Sequence, residues 1–175
     1  MLYPMPVLII GTYGKDGKPD AMNAAWGGIS EENEISICVS DDHKTTENLL
    51  FTGCFTVSIA DERNVVEADY VGIVSGYKEE KIAKCGWTAV KSEKVNAPIF
   101  EELPFTLECR VKSYDKESCR LVGEIVDISV DESVLRGDKI DLGKFKPITY
   151  DPSNHTYMTL GAVVGKAFSD GKKLR

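Results

Sequence analysis

The tightest constraint on the fold is a succession of short β-type runs, closely spaced and separated by turn signals. Residues 6–13 form an apolar run that ends in Gly14-Lys15-Asp16-Gly17, a hairpin turn whose Asp-Gly pair tolerates positive φ. Extended runs at about 19–29 and 34–41 complete a meander, and Ile35-Ser36-Ile37-Cys38-Val39-Ser40 alternates apolar and polar residues with period two. Residues 54–60 alternate in the same way, and two longer β-rich runs at 103–114 and 119–129 flank a turn at 115–118. Helical patterns are few. One spans 45–52, with Leu49 and Leu50 facing inward and Gly53 as its stop; others are suggested near 67–71 and 78–84, the latter ended by Gly86, with a single turn over 131–137. Residues 148–150 and 156–161 are short extended pieces, and 167–175 read as a frayed tail held only by Phe168 and Leu174. Strands crowded together with helices inserted between them indicate a closed or nearly closed antiparallel barrel with peripheral helices. A doubly wound sheet would need helix and strand to alternate throughout.

At 175 residues, with no internal repeat or linker, the chain reads as one domain over 1–175. A net charge of −7 argues against nucleic acid, whose phosphates are held by Lys and Arg. No apolar run approaches the roughly 20 residues that a membrane helix requires. The first 14 residues lack a basic segment and read as a strand rather than a signal peptide, so a cytoplasmic protein is expected. Cys38, Cys54, Cys85, Cys109 and Cys119 are odd in number, widely spaced and set in apolar patterns, without a C-x-x-C. Buried free thiols are the expectation, and with two histidines in the chain no metal site is expected.

The chemistry-bearing residues concentrate between 19 and 52. Asn23, Ala24, Ala25 and Trp26 combine small side chains, which leave the backbone approachable, with a polar residue that disfavours a strand interior. If buried, the Asn23 amide needs partners, and a flavin pyrimidine edge offers both donors and acceptors. His43, Lys44, Thr45, Thr46 and Asn48 gather hydroxyls and cations at a helix start, where free N–H groups favour an anion. Thr45 could equally be a plain N-cap, with Glu47 a favourable first-turn anion. Gly11, Gly14 and Gly17 lack dinucleotide-fingerprint spacing, and Gly14–Gly17 is better read as a hairpin than as a nucleic-acid loop. Ser75-Gly76-Tyr77 followed by Lys81 fits a loop joining two helices, while His155 and Tyr157 are candidates by residue type alone.

Taken together, residues 6–12 (PVLIIGT), 19–26 (PDAMNAAW), 45–59 (TTENLLFTGCFTVSI), Ser75-Gly76 with Lys81, and 157–168 (YMTLGAVVGKAF) resemble the flavin reductase-like proteins, specifically the flavoredoxin-like branch. The resemblance threads nearly the whole chain in the family's order. It implies a mainly β fold, a six-stranded Greek-key FMN-binding split barrel with peripheral helices, and a homodimer with FMN near the interface. It further implies that Asn23, Ala24, Ala25 and Trp26 line the isoalloxazine. Ser40, Lys44, Thr45, Thr46 and Asn48 would hold the ribityl chain and phosphate, and Ser75, Gly76 and Lys81 would approach the flavin. Ile82 follows Lys81 where relatives often carry an aromatic, which leaves the choice between NADH and NADPH open.

On this reading no side chain acts as a nucleophile, and none of the usual catalytic triads is present. An NAD(P)H-linked flavin reductase or a flavoredoxin-like electron carrier is expected. The alternatives are an FMN protein that exchanges electrons only with protein partners and a cofactor-free barrel that serves as a binding module.

Overall fold

The computed structural model describes residues 2–175. In chain order the elements are β1 (Met5–Pro6), β2 (Leu8–Tyr13), β3 (Pro19–Ala24), β4 (Gly27–Glu31), β5 (Glu34–Cys38), α1 (Lys44–Thr52), β6 (Cys54–Ile59), α2 (Val65–Ile73), α3 (Lys81–Cys85), β7 (Ala89–Lys91), β8 (Pro98–Phe100), β9 (Phe105–Asp115), β10 (Arg120–Val130), β11 (Leu135–Arg136), β12 (Lys139–Ile140), β13 (Ile148–Asp151) and β14 (Thr156–Thr159).

Seven strands form one antiparallel sheet in the order β3-β2-β6-β9-β10-β5-β4. Its two outermost strands, β3 and β4, are separated in sequence by Ala25 and Trp26 alone. Two extended residues span only about 7 Å. The two edges therefore come together at that corner without pairing, and the sheet curls into a split barrel. Counting β3 and β4 as one bent strand leaves six around the wall. The run expected at 19–29 is thus two strands on opposite edges, and the Cys38 amide donates to the Trp26 carbonyl at the bend, 2.7 Å away.

Apolar residues fill both sides of β2. Leu8 and Ile10 point into the barrel beside Ile35, Ile37, Phe55 and Leu121, while Val7 and Ile9 point outward beneath Ala68 and Val71 of α2 and Ile82 of α3. This explains why residues 7–10 read as a continuous apolar run rather than an alternating one. The run is nevertheless broken. Pro6, in β1, pairs with Thr149 in a second sheet of order β1-β13-β14.

α1 closes the barrel with Leu49, which is wholly buried. Leu50, expected to face inward, is 49 % exposed, because neighbours in a helix point about 100° apart. Gly53 stops the helix in the left-handed region at φ 69°, as its sequence position implied. The helix expected at 78–84 starts later, at Lys81, and the turn expected over 131–137 is a short 3-10 piece, Glu132–Val134, followed by β11. The expectation of buried thiols holds fully for Cys109 alone, whose pKa burial pushes up to about 12. Cys54, Cys85 and Cys119 are half-buried, and Cys38 is exposed at the end of β5, beside the β9–β10 hairpin. Among the described residues no helix is long and apolar enough to cross a membrane.

Candidate functional site

A trough runs along β3. Its other wall is the C-terminal end of α2 with the loop that follows it, and α1 closes one end. Three adjoining hollows of about 250, 280 and 450 Å³ make it up. The first and second share Lys44, Gly76 and Lys81; the second and third share Asn23, Gly72 and Ile73.

Asp20 organises the first hollow. Its carboxylate lies 3.2 Å from the Lys81 ammonium and accepts a 3.0 Å hydrogen bond from the Thr45 hydroxyl. All three side chains are nearly or wholly buried, so one carboxylate ties β3 to α1 and α3. Gly76 presses on the same group: a Cβ there would fall 2.6 Å from an Asp20 oxygen. The Lys81 ammonium also donates to the Val71 carbonyl, at 3.4 Å.

Beside this network the chain leaves polar groups unmet. Asn48 donates to the Thr12 hydroxyl at 3.2 Å, but its buried amide oxygen has no partner and so calls for a donor. α1 starts at His43, whose side chain makes no capping bond, leaving the first-turn amides without an intrahelical acceptor. That is a site for an anion. Lys44 stands next to it, 3.3 Å from Glu47 and 5.3 Å from the centre of the Tyr77 ring. Glu47 also accepts from the Tyr77 hydroxyl, and that bond, ahead of Lys44, lowers its pKa.

At the far end Asn23 donates to the Ala68 carbonyl at 3.0 Å, and the Tyr157 hydroxyl donates to Asp69 at 2.9 Å. Burial first, then the bond to Asp69, pushes the Tyr157 phenol up to about 12. Because β3 is an edge strand, half of its backbone groups face the trough side unpaired.

The flavin reductase like domain matches residues 1–158. The chain belongs to this flavin reductase-like family. Its structure superposes on the flavoredoxin of Desulfovibrio vulgaris (Miyazaki F) with a TM-score of 0.93 and 37 % identity, covering 98 % of this chain and 94 % of that one. A flavoredoxin from Methanosarcina acetivorans gives 0.91 and 30 %, covering 100 % and 95 %. An uncharacterised protein of Archaeoglobus fulgidus is 29 % identical over 178 residues, covering 99 % of this chain and 92 % of its own length.

On this flavin reductase-like scaffold, eight of the twelve residues singled out from sequence line the trough: Asn23, Ala25, Lys44, Thr45, Asn48, Ser75, Gly76 and Lys81. The other four do not. Ala24 points into the barrel core, since alternate strand residues face opposite sides. Trp26 lies at the bend, 69 % exposed and outside all three hollows. Thr46 donates instead to the Ser40 carbonyl at 2.6 Å, so the two satisfy each other. Thr45 is not an N-cap; that position belongs to His43.

Asp20 was missed from sequence, as were Asp69 and Tyr150. Asp20 carried the same signal as Asn23, a polar residue that disfavours a strand interior amid small or apolar neighbours.

Proposed function

We propose that this protein is an FMN-dependent oxidoreductase of the flavoredoxin type, holding FMN in the trough along β3. The supporting observation is that one continuous trough joins an uncapped helix start and an orphaned buried acceptor to a free strand edge. FMN presents a group for each: a phosphate, hydroxyl donors on the ribityl chain, and a pyrimidine edge that both donates and accepts. The residues present therefore fit the group. When bound, FMN supplies the centre that accepts a hydride or electrons.

The chain's own residues bind and orient. The first-turn amides of α1, with Lys44, hold the phosphate. Asn48 accepts from a ribityl hydroxyl. Asn23, fixed by the Ala68 carbonyl, and the β3 edge meet the pyrimidine ring. Lys81 does not offer a free cation; its charge is matched by Asp20, and the pair holds the wall in place. Residues that donate near the pyrimidine stabilise negative charge there and favour the reduced form.

The test is a visible spectrum of purified protein reconstituted with FMN, followed anaerobically with NADH, then NADPH, then dithionite. Bound flavin that bleaches with a nicotinamide establishes a reductase and names its donor. Bleaching by dithionite alone establishes an electron carrier between protein partners. Failure to retain FMN in both the as-purified and the reconstituted protein overturns the proposal.

A further inference from the structure

One carboxylate stands at the phosphate end of the trough without lining it. Glu47 lies in the first turn of α1 but borders none of the three hollows. One of its oxygens is shared by two ammonium groups, Lys44 at 3.3 Å and Lys15, from the β2–β3 turn, at 3.9 Å. Its other oxygen accepts from the Tyr77 hydroxyl at 2.9 Å, and that bond, ahead of burial, pushes the Tyr77 phenol up. The Tyr77 ring covers Lys44, whose ammonium lies 5.3 Å from the ring centre. A single acid therefore gathers the hairpin turn, α1 and the loop after α2 around the start of the helix.

The positive end of a helix and a neighbouring lysine both attract an anion, and Glu47 already serves both. Other cations at the first hollow are engaged as well, Lys18 with Glu80 and Lys81 with Asp20. Lys44 reaches the first and second hollows, and its side chain is only 26 % exposed, so water screens its charge incompletely. A phosphate entering there gains the Lys44 charge and the free amides of α1. It also meets Glu47, a like charge bound to the same lysine. Riboflavin has the same ring and ribityl chain without the phosphate, and it meets neither effect.

We infer that Glu47 is a specificity-determining residue of the phosphate end: it competes with the flavin phosphate for Lys44 and the start of α1, and so narrows the preference for FMN over riboflavin. Its influence is electrostatic and acts through Lys44, which makes it a positioning residue rather than a catalytic one. A phosphate site that carries its own carboxylate holds FMN as an exchangeable ligand. If Glu47 served only as a favourable first-turn anion of α1, removing its charge would move both flavins alike. The inference rests on the flavin proposal.

Titration of FMN and of riboflavin, followed by flavin fluorescence, tests it on the unaltered chain and on Glu47→Gln. Glutamine keeps an acceptor for the Tyr77 hydroxyl and removes only the charge. The side chain is 36 % exposed, so far-UV circular dichroism should stay unchanged. Glu47→Gln should bind FMN about tenfold more tightly and release it more slowly, while riboflavin affinity stays within about twofold. The gain should shrink between about 10 mM and about 1 M salt, as the screening length falls from about 30 Å to about 3 Å. Unchanged or weaker FMN binding in Glu47→Gln, an equal change for both flavins, or a gain that salt leaves untouched overturns the inference while the flavin proposal stands. An unaltered chain that binds neither flavin overturns both.

Discussion

Asp20 is the residue on which the trough turns, because it is a buried carboxylate with a buried cation 3.2 Å away. Removing one partner of such a pair leaves the other charged and unpaired, at a cost of about 3–5 kcal/mol, whereas removing both costs much less. Lys81→Met should therefore destabilise strongly in urea unfolding, and Asp20→Asn in the same chain should recover most of the loss. A double-variant loss equal to the sum of the Lys81→Met and Asp20→Asn losses would show that the two charges do not depend on each other. Tyr157 gives a prediction in pH. Its folded pKa is raised to about 12 from an ordinary 10, so it contributes stability below pH 10 that is lost as pH climbs toward 12. In Tyr157→Phe the fall in melting temperature across that window should be shallower; an unchanged slope would assign the alkaline loss to other groups. Thr46 illustrates what sequence reading could not reach. Its type and position suggest a phosphate ligand, while the acceptor its hydroxyl meets in the fold, the Ser40 carbonyl at 2.6 Å, is set by how the chain before α1 turns. Thr46→Val should cost about 0.5–1.5 kcal/mol, since the carbonyl keeps only its longer bond from the His43 amide, at 3.4 Å. It should alter affinity for FMN and riboflavin equally; a loss for FMN alone would return Thr46 to the phosphate.

α1 shows why element existence was legible while its faces were not. The glycine stop and the start near residue 44 follow from local chemistry, and both are found. Its buried residues, however, are Thr45, Thr46, Asn48 and Leu49, while Leu50 and Phe51 face solvent. A helix that borders a polar trough buries its polar face, so hydrophobic periodicity assigns the wrong side. The same cause hid the break at Ala25–Trp26: period two reports which face a residue takes, not which strand it pairs with, and that pairing is set by the chain's return through β5, β9 and β10. The missing cap of α1 is a further property of the element. His43→Ser supplies a side-chain acceptor for the free amides and should raise the stability of flavin-free protein by about 0.5–1 kcal/mol. It also competes with an anion for those amides, so FMN affinity should fall relative to riboflavin. Calorimetry without ligand and flavin titration together check the pair of signs; a gain in both stability and FMN affinity would place the phosphate away from this helix end.

At the scale of the whole molecule, a closed or nearly closed barrel was readable from spacing and turns, but the packing that sets how tightly the sheet curls was not. One contact shows the limit. Gly123 sits in β10 at a register shift with β9, facing Phe55 across the barrel interior. A Cβ built at Gly123 would fall 2.3 Å from the Phe55 ring, and that ring is wholly buried. The ring occupies the space that a side chain on β10 would need, so the glycine lets the curled sheet pack without a void. Gly123→Ala should accordingly overpack the interior and destabilise by about 1–3 kcal/mol. Phe55→Leu removes the atoms in conflict at the expense of a cavity. If the clash is with the ring, the two substitutions couple: the double variant should be less destabilised than the sum of the singles, by an amount that a double-mutant cycle in denaturant resolves. Additive losses would mean that the backbone of β10, rather than the ring, yields to the methyl group, and that the barrel's curvature is set elsewhere in the sheet.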